Sequence, residues 1–367
     1  MKSKPKALYI HVPFCEHLCY YCDYPRILIT KQNIDLYLDK LEEELKLYNP
    51  EGVETIYVGG GTPSALPLVA FKRLFSIASK YSSDVSEYSV EGNVENLSKE
   101  KLLILKEAGV NRLSIGVQSL NNQTLKAIGR RHTKEEAIEV INLAKSLGFS
   151  NISIDLIYGL PNQSLENLKA ELDLYLKLNL NHIATYALDI SPHTVFGIKK
   201  LTPISDELSR EMYDYILATL RKHGYNRYET STFAKPGYEC KHNLTYWRNE
   251  QYYGVGYAAS GYINNIRYVN TYNLTAYLNG KFIGEINKVT PSNIAEYFLL
   301  TNLRREAGFS LDHFKNHVGV NFKDMFKKEA KVLEENGLLH QENNRVFLSD
   351  EGMIRIDYVL IELIKNL

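Results

Sequence analysis

Ala7-Leu-Tyr-Ile-His-Val-Pro-Phe-Cys15-Glu-His-Leu-Cys19-Tyr-Tyr-Cys22 carries both a short apolar run with the character of a strand and, directly after it, most of the cysteine of the chain. Three of four cysteines fall within eight positions, at Cys15, Cys19 and Cys22, while Cys240 is remote. In a reducing compartment, clustered thiols bind metal or do redox chemistry more often than they pair as disulfides. The spacing is C-x3-C-x2-C. Zinc sites usually take four ligands in two pairs. Three thiolates instead hold three irons of a cubane [4Fe–4S] cluster and leave the fourth iron open to a chelating small molecule. Phe14, Tyr20, Tyr21 and Tyr24 supply apolar shielding around the sulfurs. A three-cysteine zinc site completed by His11 or His17, and three unrelated buried cysteines, are the other readings of the same residues.

Five more strand-like segments follow: Thr55 to Val58, Glu87 to Glu91, Arg112 to Val117, Asn151 to Ile157, and His182 to Leu188. Amphipathic stretches alternate with them, at Ile34 to Leu47, Lys99 to Ala108, Lys134 to Leu147 and Leu165 to Leu178. Alternation at this spacing predicts parallel strands with helical crossovers, an α/β fold. Six units predict a partial (β/α)6 barrel or an open parallel sheet. In either, a site forms at the C-terminal ends of the strands. The unusual residues lie there: the cysteine loop after strand one, Gly59-Gly-Gly-Thr-Pro63 after strand two, Glu91 closing strand three and Gln118 closing strand four. Asp155 lies on strand five, where a carboxylate in an apolar run needs a partner.

Beyond residue 190 the pattern changes. Residues 191–290 are rich in Tyr, Asn and Gly, with a helix expected near Asp206 to His223 and short strands and turns over Tyr225 to Tyr268. From Ser292 onward helices dominate, closing with a hairpin at Glu342-Asn-Asn344 and a last helix, which resembles a winged helix. The expected division is 1–190, 191–290 and 291–367. The chain has 367 residues, 44% hydrophobic and 23% charged, with Lys+Arg and Asp+Glu at 43 each. That balance excludes wholesale disorder. Zero net charge argues against a large electrostatic footprint for nucleic acid, and the winged module shows no concentrated basic face, so it reads as a packing or interaction unit, with DNA binding as its other reading. No apolar run reaches the roughly 18 residues that span a bilayer. The apolar stretch before Cys15 has no small-residue cleavage site, so the expected compartment is the cytoplasm.

With the cysteine loop on strand one of six units, the chain resembles the radical S-adenosylmethionine (SAM) proteins, and more narrowly the oxygen-independent coproporphyrinogen III oxidase family. The resemblance rests on Tyr9-Ile-His-Val-Pro-Phe-Cys15, Cys19-Tyr-Tyr-Cys22, Gly59 to Pro63, Gly109-Val-Asn-Arg-Leu-Ser-Ile-Gly-Val-Gln-Ser119, Gly129-Arg-Arg-His132 and Ile154-Asp-Leu-Ile-Tyr-Gly-Leu-Pro161, and extends over nearly the whole length. It implies a [4Fe–4S] cluster on Cys15, Cys19 and Cys22 with SAM on the open iron, whose S–C5′ bond an electron from the reduced cluster breaks. It further implies cofactor contacts by Tyr9, by the backbone of Gly60, Gly61 and Thr62, and by Glu91. Gln118, Arg130 and Asp155 match positions that line a second SAM site in the oxidases. Glu91 has a salt bridge as its other reading, and either Arg130 or Arg131 could be the surface residue.

Two departures point within the family to its sister group, the HemW haem chaperones. The oxidases usually have a fourth cysteine where this chain has Tyr24, and a longer arm before the cysteine loop, where 14 residues precede Cys15 here. His242-Asn-Leu-Thr-Tyr-Trp247 also matches the H-N-x-x-Y-W pattern proposed to bind haem in that group. An imidazole is a common haem ligand, and Tyr246 and Trp247 offer faces for the porphyrin. The other reading is a structural histidine with two core aromatics. Cys240 reads as a free buried thiol or a second ligand. The resemblance therefore implies haem and a haem-accepting protein as partners, with homodimerisation and transient association with a membrane complex as further expectations. The alternatives are decarboxylation of coproporphyrinogen III to protoporphyrinogen IX and another radical SAM reaction on a porphyrin.

Overall fold

A computed structural model describes residues 4–29, 31–291, 293–365 and 367; Ser292, the expected start of the C-terminal helices, lies outside the described residues. Six strands run in chain order: β1 Ala7–Val12, β2 Thr55–Gly60, β3 Glu87–Asn93, β4 Arg112–Gln118, β5 Asn151–Tyr158 and β6 His182–Ala187. They lie side by side in that order, every pair parallel. A strictly sequential order means that each right-handed crossover adds the next strand on the same side, which sends all the connecting helices to one face. These are α1 Lys31–Tyr48, α2 Leu68–Ala78, α3 Lys99–Glu107, α4 Lys134–Ser146 and α5 Leu165–Lys177. α2 had no counterpart among the expected helices.

Alternation along the strands divides the two faces. Leu8, Ile10, Ile56, Val58, Val90, Leu113, Ile115, Ile152, Ile154 and Ile183 pack with Leu38, Phe71, Leu102, Ile141 and Leu168 of the helices in one buried cluster. The residues between them on the strands face the opposite way, and many are polar: Tyr9, Tyr57, Glu91, Arg112, Ser114, Ser153, Asp155 and His182 all line one cavity.

The region after residue 190 extends both edges of this sheet. β7 Asn226–Glu229 and β8 Thr232–Ala234 add antiparallel to β6. β9 Tyr252–Val255 pairs parallel with β1, and β10 Ser260–Ile263, β11 Ile266–Asn270 and β12 Ile283–Lys288 continue antiparallel from it. The sheet has twelve strands, and its two edges are not paired with each other. Among the described residues it is therefore an open, partial barrel. Within the stretch expected as strands and turns, Lys241–Trp247 forms a helix, α6. Its N-terminal amides are capped from far away in sequence: the Glu87 carboxylate accepts from the backbone N–H of Lys241 (2.9 Å) and His242 (3.0 Å).

A second apolar cluster, with Phe298, Phe309, Phe314 and Phe322 at its centre, holds the C-terminal region together. Helices Ile294–Asn302, Leu311–Val318, Lys327–Glu335 and Ile356–Ile364 surround a sheet of Phe309–Ser310, Arg345–Leu348 and Leu339–Glu342. Asn343 and Asn344 both have positive φ (49° and 62°), which a tight primed hairpin turn requires. Arg227 of β7 ties this unit to the sheet through Glu306 (2.5 Å) and Asp350 (2.6 Å).

Candidate functional site

The inner face of the six parallel strands encloses a cavity of about 590 Å³. Its mouth carries the cysteine loop. Cys15, Cys19 and Cys22 are free thiols that all line it, the first two buried and the third partly exposed. The loop is pinned from below and behind. The Ile27 N–H donates to the Pro13 carbonyl (2.7 Å) and the Ile29 N–H to that of Cys15 (2.9 Å). His11 is unavailable as a zinc ligand as it stands. Burial drives its pKa down to about 4, so the ring is neutral; its Nε2–H donates to the Pro25 carbonyl (3.0 Å), and Nδ1 accepts from the Tyr9 hydroxyl (2.9 Å). Among the described residues, no three His, Cys, Asp or Glu side chains gather around a single ion position. Three thiols spread around one larger opening suit a polynuclear cluster better than one zinc ion.

The glycine run after β2 forms the adjoining wall. A Cβ on Gly61 would sit 2.6 Å from the Pro13 carbonyl oxygen and 3.0 Å from the Cys15 sulfur; one on Gly60, at φ +118°, would meet the His11 ring at 2.8 Å. Both positions thus require the missing side chain, and Gly61 does so beside a sulfur. Thr62 places its hydroxyl 3.4 Å from Cys15 Sγ and accepts from Asn93 Nδ2 (3.1 Å).

Below the mouth stand two half-buried carboxyl groups. Glu91 accepts from the Tyr57 hydroxyl (2.8 Å) and the Gly60 N–H (3.0 Å), while burial still raises its pKa. Burial, and then the charge of Glu91, push Asp155 up to about 7. Among the described residues Glu91 has no ion pair within 4 Å, which sets aside the salt-bridge reading. Gln118 reaches the cavity through a local irregularity: the β4–β5 register shifts between Gly116 and Gln118, and Gln118 adopts a φ of +69°. Such bulges re-aim side chains next to ligand sites, and the strain must be held by surrounding structure.

Arg130 and Arg131 separate cleanly. Arg131 is exposed. Arg130 is buried against the loop, donating to Cys19 Sγ (3.6 Å), Asn93 Oδ1 (3.2 Å), Glu95 Oε2 (3.2 Å) and the Gly116 carbonyl (2.6 Å). Burial opposes ionisation of Cys19, but His17 and Arg130 outweigh it and hold this thiol below its ordinary pKa. Burial likewise opposes ionisation of Glu95, and His132 and Arg130 bring it down to about 2.

The profile of the Radical SAM superfamily matches residues 9–175, and that of the HemN C-terminal domain matches residues 289–355. The chain is 41% identical to the haem chaperone HemW of Lactococcus lactis, over 96% of this chain and 95% of that one. It is 40% identical to the haem chaperone HemW of Bacillus subtilis, over 95% and 96%. The chain belongs to the HemW family. The coproporphyrinogen III oxidase HemN of Escherichia coli superposes with a TM-score of 0.86 over 99% of this chain and 91% of that one, at 24% identity, which shows a shared fold.

For a radical SAM protein of the HemW family, the cofactors are a [4Fe–4S] cluster and SAM, and the site fits them. Three free thiols face one opening, a glycine keeps a Cβ away from one of the sulfurs, and Nε of Arg130 is buried with no partner next to the loop. Tyr9, Gly60, Gly61, Thr62, Glu91, Gln118, Arg130 and Asp155 all line this cavity with the cysteines.

His242 does not line it. It is fully buried on α6, behind β2, with Nδ1 hydrogen-bonded to Thr55 Oγ1 (2.8 Å) and Nε2 to the Tyr246 hydroxyl (2.7 Å). Burial lowers its pKa to about 3, so the imidazole is neutral. Cys240 is also completely buried, its thiol donating to Glu87 Oε1 (3.3 Å). Sequence reading missed the inner-face residues Tyr57, Arg112, Ser114, Ser153 and His182. For Ser114 a signal was present in the strict polar–apolar alternation of Arg112-Leu-Ser-Ile-Gly-Val-Gln118.

Proposed function

We propose that this chain binds haem and passes it to an acceptor protein, with a [4Fe–4S] cluster and exchangeable SAM at the barrel mouth. The observation that carries the reading is identity of about 40% along almost the full length with two haem chaperones, against a likeness to the oxidase that is one of fold. When bound, the cluster supplies an iron position for SAM and a source of one electron. The chain's own residues supply the rest. Cys15, Cys19 and Cys22 hold the cluster, Gly60 and Gly61 leave room beside it, and Tyr9, Thr62, Glu91, Gln118, Arg130 and Asp155 present hydroxyl, carboxylate, amide and guanidinium groups to SAM. The chemistry to be recognised there is an amino-acid sulfonium with ribose hydroxyls, which pairs naturally with both carboxylates and a cation.

Haem is assigned to the His242-to-Trp247 motif. In the observed state both ring nitrogens of His242 are occupied, so iron ligation through Nε2 displaces the Tyr246 hydroxyl. The same reading keeps the divisions at 190 and 290, a cytoplasmic location, and docking of the loaded protein as a homodimer or on a membrane complex. No helix among the described residues is long and apolar enough to cross a membrane.

The test is anaerobic. Reconstituted protein titrated with haem should give a saturable Soret band, and haem should move to an apo-acceptor on mixing. Incubation with coproporphyrinogen III, SAM and a reductant should yield no protoporphyrinogen; turnover there would replace this reading with the oxidase one.

A further inference from the structure

At the floor of the cavity, opposite the cysteine loop, lies Arg112, the first residue of β4. Its side chain is 2% exposed, and no described side-chain or backbone group accepts a hydrogen bond from its guanidinium; Nε and Nη1 are buried without any partner. The acid nearest to hand is committed elsewhere. Glu87 accepts from Lys241 N, His242 N, the Cys240 thiol and the Ser89 hydroxyl, so its oxygens are taken up in capping α6 and it acts on Arg112 through its charge alone, with no hydrogen bond. Glu91 and Asp155 feel the charge of Arg112, but neither forms an ion pair with it within 4 Å. The remaining groups facing it are Tyr57, Tyr228 and Cys240, none an anion at neutral pH.

A buried cation with open donors is expensive, because its lost hydration is not repaid by any protein hydrogen bond. Most buried polar atoms find a partner, so an orphaned guanidinium lining a cavity marks a place where a ligand supplies the acceptors. The surrounding wall is suited to a small organic acid. Ser114 and Ser153 bring hydroxyls and Ala184 and Ile157 bring apolar surface to the same cavity. His182 cannot compete as a cation: it is neutral through burial, with its nitrogens bonded to Ser153 Oγ (2.7 Å) and the Tyr228 hydroxyl (2.8 Å).

We infer that the barrel floor is a carboxylate-binding subsite centred on Arg112, separate from the SAM contacts at the mouth. A planar guanidinium matches a carboxylate through two parallel N–H···O bonds, which a spherical halide cannot use. The carboxylate belongs either to a small free acid or to the acid arm of a larger ligand reaching down from the mouth. The inference builds on the radical SAM reading of the mouth but does not depend on haem.

The experiment uses cluster-reconstituted protein and isotope-labelled propionate in equilibrium dialysis, with SAM binding followed in parallel. Wild type should bind propionate saturably, and Arg112→Met should weaken it by about ten-fold or more, the worth of a charge-assisted pair; SAM affinity is compared in Arg112→Lys, which keeps the charge that Glu91 and Asp155 feel, and should hold there. Arg112→Lys, which keeps the charge but loses the fork, should fall between and serves as the decisive variant if Arg112→Met fails to fold. Haem and its dimethyl ester form the second arm. Haem displacing propionate when the ester does not assigns the arm of a larger acid; displacement by neither assigns a free small acid. Absence of saturable propionate binding to wild type, equal binding by Arg112→Met and wild type, or loss of SAM affinity in step with propionate in Arg112→Lys would overturn the subsite.

Discussion

Glu91 and Asp155, on strands separated by β4, face the same cavity, and the charge of Glu91 adds to burial in raising Asp155 to about 7. The consequence for stability has a definite sign. The folded pKa of Asp155 lies above the ordinary carboxyl value, so between that value and about 7 the folded state holds the proton that the unfolded state has lost. This contribution is full at low pH and is lost as pH rises through about 7. Asp155→Asn removes the ionisation. Urea melts of the cofactor-free protein should show the variant gaining on wild type by a few kcal/mol between about pH 4 and pH 8. SAM should act the other way on wild type: a cationic ligand favours the ionised carboxyl, so its affinity rises with pH from about 6 to about 8, and that rise should vanish in Asp155→Asn. A flat pH profile in wild type would remove Asp155 from the SAM contacts.

Arg130 spans Cys19, Asn93, Glu95 and the Gly116 carbonyl, and its removal takes the guanidinium from the half-buried Glu95 carboxylate, which keeps His132 and His17 as neighbours. Losing a hydrogen bond to a charged group costs about 1.5–3 kcal/mol. Arg130→Met should show that loss in denaturant melts and should hold less iron and sulfide after reconstitution. Arg131→Met changes an exposed residue and should stay within about 0.5 kcal/mol of wild type with normal cluster content. Equal behaviour of the two variants would contradict the assignment.

The sheet's six parallel strands were legible because each is a short β-rich run and most are followed by a helix-period pattern, and the observed ends differ by at most two residues, as at Gly60 and Asn93. The candidate residues at the mouth were legible through the cysteine spacing, the glycine run and the family resemblance. Two features were not. β9 pairs with β1 across some 240 residues of chain, a long-range contact that no local pattern announces. α6 escaped because its N-terminal cap is the Glu87 carboxylate from another strand, whereas Cys240 at the cap position makes no side-chain capping bond. Arg112 was hidden for a different reason: an arginine that opens a strand reads as a surface residue until a barrel places it on the inside.

Gly61 offers a steric test of the mouth. A methyl group there meets the Pro13 carbonyl and the Cys15 sulfur, whereas one on Gly52 meets nothing within 4 Å. Gly61→Ala should therefore lower iron and sulfide content and displace the cluster's visible absorption. Gly52→Ala places alanine at φ +70°, which costs about 1 kcal/mol of backbone strain, and should leave the cluster untouched. Loss of cluster in both would mean that general instability, not crowding at Cys15, is responsible.

His242 is the hardest residue to test, because its removal damages the fold as well as any haem site. His242→Ala leaves the Thr55 and Tyr246 hydroxyls without their buried partner, at about 1–3 kcal/mol for each group left unsatisfied. Weak haem binding by that variant alone therefore decides little. Tyr246→Phe separates the two effects. It breaks the same Nε2 hydrogen bond but keeps the imidazole, and it frees the nitrogen that iron would need. With His242 as the ligand, haem affinity should fall at least about ten-fold in His242→Ala and hold or rise in Tyr246→Phe, with the Soret position of the latter unchanged. Parallel weakening in both variants would mean that the buried hydrogen-bonded triad of Thr55, His242 and Tyr246 is a structural brace behind β2, and that haem takes its iron ligand from another part of the surface.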